Sequence, residues 1–236
     1  MTTVVHRFEA ARRDPMLAVL EGFHPIKHAL RFGATLVEVV APDVPALLRL
    51  ADRLAPDVSA ALGEAAAEVS ADVFARVAPD HARADAAALA LRPETTADDI
   101  GRGRIVYLDR PKHLGNIGAA VRVAAAAGAA GVVTSGDRDP WHPAALRGSA
   151  GLHFALPVVR VDRLRSFARP VVALDPAGES LSPGAVPVEA VVAFGSERHG
   201  LAHDVRAAAD LILAIPMRPG VSSLNLATAV AVTLYA

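Results

Sequence analysis

The chain has 236 residues, with 24 Lys and Arg against 25 Asp and Glu, 9 His and no Cys. Without Cys there is no disulfide scaffold, no Cys-ligated metal centre and no thiol nucleophile, while 53% hydrophobic residues suffice for a sizeable core. Each apolar run is broken by Arg, Asp, Pro or Gly short of the ~18 residues of a membrane-spanning helix, and the N-terminal stretch lacks the apolar centre of a signal peptide; a cytoplasmic protein without membrane association is expected.

Residues 22–32 read as a helix with Pro25 in its first turn, where a missing N–H costs nothing. The β-branched run 34–41 reads as a strand, 44–54 as a helix, 70–77 as a helix begun by Ser70, and 87–92 as a short strand. The intervening residues of 41–90 are Ala-rich and of helical composition. Residues 91–104 are polar, with a Pro and two Gly, so the chain divides near 93–103. The division adopted is 1–95, a linker 96–103, and 104–236.

The second part alternates regularly. Strands are predicted at 104–109, 131–135, 170–175, 190–195 and 211–216. A helix at 117–128 closes on Gly128, and a final helix capped by Ser222 or Ser223 runs to Tyr235. Strands alternating with helices predict an α/β fold with a parallel sheet covered on both faces, and ligands of such sheets bind at the carboxyl ends of the strands. Charge divides along the same line. Residues 1–100 carry 10 basic and 15 acidic side chains, and residues 101–236 carry 14 and 10. Arg dominates the basic residues, the only lysines being Lys27 and Lys112. A GC-rich genome accounts for that; the functional reading is that the second part faces an anion.

Three loops at strand ends carry unusual residues. In 113–122 the dinucleotide fingerprint is absent, since only Gly115 and Gly118 are present. Asn116 and Arg122 remain. An Arg in an Ala/Val helix is costly unless it lines a cleft or pairs with an acid. In 194–201, Gly195 and Gly200 have phosphate-loop spacing, but Leu201 stands where a Lys is needed. In 215–232 a Pro-Met-Gly loop precedes Ser223, a plain cap, and Asn225, which weakens a first helical turn without a local role. The pairs His24/His28 and His199/His203 lack the Glu of a zinc-protease helix, so no metal is expected. Trp141 and His142 either stack on a base or plug the edge of the core.

Taken in order, the loops resemble the three motifs of the SpoU/TrmH family of RNA ribose 2′-O-methyltransferases, in the SPOUT superfamily. Asn116, Gly118 and Arg122 match the first motif. Gly195, Glu197, Gly200 and Leu201 match the second. Ile215, Pro216, Met217, Gly220, Ser223, Leu224 and Asn225 match the third. Residues 147–158 resemble the segment between the first and second motifs. Leu226 and Ala227 depart from the Val-Ser that often follows the third. The resemblance covers 104–236. The first part is more loosely similar to the family's ribosomal-protein-like RNA-binding domain.

The resemblance implies a trefoil knot in the second part and S-adenosylmethionine as cofactor. It implies cofactor contacts from Thr134, Gly195, Gly200, Leu201, Ile215, Met217, Ser223 and Leu224. Arg122 would act on the ribose hydroxyl, as a base or by stabilising the alkoxide, with Asn116, Glu197, Ser223 and Asn225 in the catalytic set. The implied partners are ribosomal or transfer RNA and a second copy of the chain, paired through the second part. The alternative is an RNA-binding protein that keeps this fold without methylating.

Overall fold

The computed structural model describes residues 3–81, 84–164 and 168–236. It divides into two compact units. The first comprises 1–94 with 141–155, and the second 95–140 with 156–236. The division is thus not a single cut at 96–103, because residues 141–155 pack with the first unit.

The first unit contains α1 (Val4–Ala11), β1 (Leu17–Glu21), α2 (Phe23–Arg31), β2 (Leu36–Ala41), α3 (Val44–Leu54), α4 (Pro56–Ala65), β3 (Ala66–Glu68), α5 (Ala71–Val77) and β4 (Ala87–Leu91). Its sheet has the order β1-β4-β2-β3, with antiparallel pairing of β4 to β1 and β2 and parallel pairing of β2 to β3. Helices start where the chemistry predicts. Asp43 caps α3 by accepting from the Ala46 N–H at 2.7 Å, and Ser70 caps α5. Val5, Phe8, Val19, Phe74, Val77 and Leu89 form a core on one face. The strand β1 ends on Glu21, whose side chain is fully buried and takes salt bridges from Arg12 at 2.6 Å and from Arg147.

The second unit contains β5 (Ile105–Leu108), α6 (Leu114–Ala126) and β6 (Gly131–Thr134). The helix α7 (Pro143–Gly148) follows in the segment that joins the first unit. The second unit resumes with β7 (Val158–Arg160), β8 (Val171–Ser180), β9 (Val191–Phe194), α8 (His203–Ala207), β10 (Leu211–Ala214) and α9 (Leu226–Tyr235). Six strands in the order β10-β8-β9-β5-β6-β7 pair in parallel throughout. Residues of β5, β6, β8 and β9 that point one way form a core with Val205 of α8 and Leu201. The helices α6 and α9 pack on each other and cover the opposite face. The doubly covered parallel sheet expected from the alternation is therefore present.

Two features of this sheet shape the site. First, β8 bulges. Ile212 of β10 pairs with Ala173, but Leu213 pairs with Glu179, so residues 174–178 arch out of register. Gly178 permits the return, since a Cβ there would lie 2.6 Å from the Ile212 carbonyl carbon. Second, the last helix begins later than the serines suggest. Its N-cap is Asn225, whose Oδ1 accepts from the Ala227 N–H at 2.9 Å, and residues 222–225 are exposed and non-helical. Ser222 and Ser223 are not caps, and Asn225 has the local role that a first-turn position would have denied it.

Trp141 resolves in favour of the core. It is 8% exposed and packs on His153 and Phe154 at ring distances of 5.2 and 5.3 Å. His142 caps α7, its Nδ1 accepting from the Ala144 N–H. His28 bonds to the Ala150 carbonyl at 2.6 Å, and burial lowers its basicity against that bond's opposing pull.

Candidate functional site

The carboxyl ends of β5, β9 and β10 bring the three motif loops together. The second loop is a tight closure. Ser196 and Gly200 exchange both backbone hydrogen bonds at 3.0 Å. Inside this closure a Cβ on Gly195 would sit 2.1 Å from the Gly200 carbonyl carbon and 2.3 Å from the Leu201 nitrogen. Glycine is required at 195 by the loop's own backbone, before any ligand is considered.

A buried acid that no motif flags anchors this loop. Asp109, directly after β5, is 3% exposed. Its carboxylate accepts from the Ala202 N–H at 2.7 Å and from the Ser135 hydroxyl at 3.1 Å, and pairs with Arg110 at 3.2 Å. The loop after β9 is thereby tied to the ends of β5 and β6. The available sequence signal was slight: an Asp immediately following an apolar strand, with no partner at a fixed spacing.

The polar residues of the three motifs form a chain. The Asn225 side-chain amide donates to Asn116 Oδ1 at 3.0 Å, and the Asn116 amide donates to Glu197 Oε1 at 2.8 Å. Glu197 Oε2 accepts from the Lys112 N–H at 3.2 Å. Burial pushes the Glu197 carboxyl up. The Asn116 amide, backbone N–H groups and the charge of His113 outweigh it and hold the group below the usual carboxylate range. A fully accepted carboxylate thus fixes the orientation of both asparagines, since amide N must face acceptor and amide O must face donor.

Beside this chain lies a cavity of about 600 Å³ over the ends of β8, β9 and β10. The arch of β8 supplies Leu174, Asp175 and Pro176, the second loop supplies Gly195 to Arg198 and Gly200, and the third supplies Ile215, Met217 and 222–226. Its size suits a small molecule, and its walls are apolar for the larger part, with Asp175, Glu197 and Arg198 among the polar residues. Of the eight residues expected to hold a cofactor, Gly195, Gly200, Ile215, Met217, Ser223 and Leu224 line it. Thr134 lies on β6, two strands from β9, where its hydroxyl is buried without a hydrogen-bond partner among the described residues. Leu201 turns its side chain into the core beneath.

Asn116, Glu197 and Asn225 are brought together, and Ser223 stands on the cavity wall. Arg122 stands apart from that chain. It is exposed on α6 and makes no hydrogen bond or ion pair among the described residues. The desolvation cost expected of an Arg in an apolar helix does not arise. Among the described residues no three His, Asp or Glu gather as metal ligands, and no helix is long and apolar enough to cross a membrane.

The family model of the SpoU rRNA methylases matches residues 103–235. A 23S rRNA (guanosine(2553)-2′-O)-methyltransferase of Bacillus subtilis is 28% identical over 231 residues, covering 92% of this chain and 86% of the relative. A 23S rRNA (uridine(2479)-2′-O)-methyltransferase of Streptomyces viridochromogenes is 33% identical over 162 residues, covering 60% of this chain and 56% of the relative. The chain spans between 51% and 64% of the length of the first four curated relatives it matches. The crystal structure of a SpoU methyltransferase from Streptomyces viridochromogenes in complex with AdoMet superposes with a TM-score of 0.79 at 23% identity, covering 100% of this chain and 96% of that one, which shows a shared fold. Since the matched span holds the whole parallel-sheet unit with its three loops, the chain belongs to the SpoU rRNA methylase family.

Proposed function

We propose that the protein transfers a methyl group from S-adenosylmethionine to a ribose 2′-hydroxyl of ribosomal or transfer RNA. The observation that carries this reading is the hydrogen-bonded chain Glu197–Asn116–Asn225 at the mouth of the cavity, which links all three motif loops through side chains. The cavity fits the cofactor: its size, its apolar wall and its backbone-rich loops suit a nucleoside carrying a sulfonium. When bound, S-adenosylmethionine supplies an electrophilic methyl group.

The chain's own residues do the rest. Gly195, Gly200, Ile215, Met217, Ser223 and Leu224 enclose the cofactor and exclude water. The fixed asparagines orient the ribose. Arg122, exposed and unpaired with acid among the described residues, is free to meet the oxygen as it gains negative charge. Its exposure favours electrostatic stabilisation of the alkoxide over acting as a base, with the proton leaving to solvent.

Three finer readings accompany this one. The segment after β10 threads a trefoil knot, supported by the resemblance and by the family match. The first unit holds the RNA, in the cytoplasm. The chain forms a homodimer through the second unit, supported by apolar exposure on α9 and its approach, where Val221, Leu224, Val232 and Tyr235 are 49%, 39%, 40% and 69% exposed.

Incubation with labelled S-adenosylmethionine and deproteinised rRNA or tRNA, followed by nucleoside analysis, tests the activity. Label in 2′-O-methylnucleosides is expected. Cofactor and RNA binding without transfer would leave the binding-protein reading instead. Light scattering tests the dimer, which a mass near the 24.4 kDa of one chain would refute.

A further inference from the structure

We infer that Arg198 is an RNA-contacting residue that grips a phosphodiester beside the target ribose. The inference rests on the proposed methyl transfer and names a contact that the three motifs do not include. Three charged side chains line the cavity: Asp175, Glu197 and Arg198. Two are committed. Asp175 pairs with Arg206 and accepts from the Ala177 N–H at 2.9 Å. Glu197 is taken by Asn116 and the Lys112 N–H. Arg198 is exposed and has no hydrogen bond or ion pair among the described residues, although Glu197 is its neighbour in sequence.

Its backbone is nevertheless fixed. Residues 196–200 are closed by the Ser196–Gly200 pair, and the Ser196 hydroxyl accepts from the His199 N–H at 3.3 Å. Beyond the closure, Asp109 holds the Ala202 N–H. A free guanidinium on a loop whose backbone is fixed is available to an anion at a set place on the rim, and its planar fork suits phosphate.

Two anions would be near: the RNA backbone and the carboxylate of the cofactor's methionine moiety. The RNA is favoured on charge. That carboxylate travels with an ammonium and a sulfonium, so a guanidinium folded into the cavity gains little and meets like charge. A phosphodiester has no such companion. An exposed Arg at the rim therefore gains most by pointing out to a polyanion.

The test uses the full-length protein with Arg198→Gln and Arg198→Lys. S-adenosylhomocysteine and S-adenosylmethionine affinities are read by calorimetry, and affinity for deproteinised 23S rRNA fragments is read across a salt series. For Arg198→Gln, RNA affinity should fall roughly threefold to tenfold, and the slope of log affinity against log salt should flatten by about 0.7, one phosphate contact to a single strand. Cofactor affinity should be unchanged, and Arg198→Lys should keep the slope. Weaker S-adenosylmethionine binding with unchanged RNA binding would assign Arg198 to the carboxylate and overturn the inference. So would no change in either, or an equal loss of both that Lys does not restore. Wild-type protein that binds no S-adenosylmethionine would sink the methyl-transfer reading itself, an outcome separate from all of these.

Discussion

The two units spend their charges differently. In the first, acids and bases are consumed by structure. Glu21 is buried between Arg12 and Arg147, Arg7 pairs with Glu38 at 2.5 Å, and Arg31 pairs with Asp57 at 2.6 Å. In the second, Asp109 and Asp175 are likewise paired with Arg110 and Arg206, but the motif residues Asn116 and Asn225 are joined by neutral amides to Glu197, while Arg122 and Arg198 remain unpaired among the described residues. Paired charge in a sheet edge or a core holds a fold together. Unpaired cations in the unit that carries this amide chain are what a polyanionic substrate would need.

Two carboxylates, one in each unit, provide the sharpest way to break this contrast. Glu21→Ala removes a fully buried acid and strands two guanidiniums, so it should cost about 3–5 kcal/mol in denaturant unfolding. Glu197 is exposed and holds only surface loops, so Glu197→Ala should cost far less in unfolding than Glu21→Ala while lowering methyl transfer. Equal destabilisation by the two substitutions would erase the distinction. A comparable catalytic effect is expected for Arg122→Ala, on the order of 10²- to 10³-fold in turnover, with cofactor affinity within a few-fold of wild type. Wild-type turnover by that variant would remove Arg122 from the reaction.

A smaller effect is expected at Gly195. Gly195→Ala places a Cβ against the Gly200 backbone, so the second loop must open. Cofactor binding should weaken by roughly tenfold, about 1.4 kcal/mol. Global stability should fall less than in Glu21→Ala, because opening the loop at 195–200 leaves the strands and the core beneath them in place. Unchanged cofactor affinity would mean that the loop does not shape the binding site.

How much of this was legible in the sequence differs between the units for physical reasons. In the second, short β-branched strands bounded by Gly gave the alternation directly, and the three motif loops lay at strand ends. The first was harder. The strand β1 and helices α1 and α4 are not among the predicted elements: α4 follows α3 through Ala55 alone, and the Ala-rich residues around β3, of helical composition, form a strand instead. Segment 141–155 carries no compositional mark of belonging to the first unit; its ties are the Arg147–Glu21 pair, the His28 bond to the Ala150 carbonyl and Arg92 over the Trp141 ring, contacts far apart in sequence. At the site, the motif residues were legible but their connections were not. Asn225 looked misplaced because Ser222 and Ser223 are equally good caps on paper. Asp109 carries no sequence signal because its distant partners are a hydroxyl and a backbone N–H, and its one charged partner, Arg110, is simply the next residue.

The finest probe of the contrast is the titration of Glu197. Burial raises its pKa, while the Asn116 amide, the backbone N–H groups and His113 lower it further than burial raises it. A carboxyl held below its unfolded value adds stability above that value, and the contribution disappears as pH falls through the lower, folded one. Asn116→Ala removes the strongest of the lowering contacts, so the Glu197 pKa should rise towards or past its ordinary value. The loss of the stabilising contribution should then begin at a higher pH. Asn225→Ala takes away a donor to Asn116 rather than to the carboxylate, so it should move the titration less. Carbon-13 NMR of labelled glutamate, with the Glu197 signal identified from Glu197→Gln, reads both variants without any substrate. An unmoved titration in Asn116→Ala would show that the amide chain does not set the charge at the mouth of the cavity, and that burial, the backbone N–H groups and His113 govern the carboxylate.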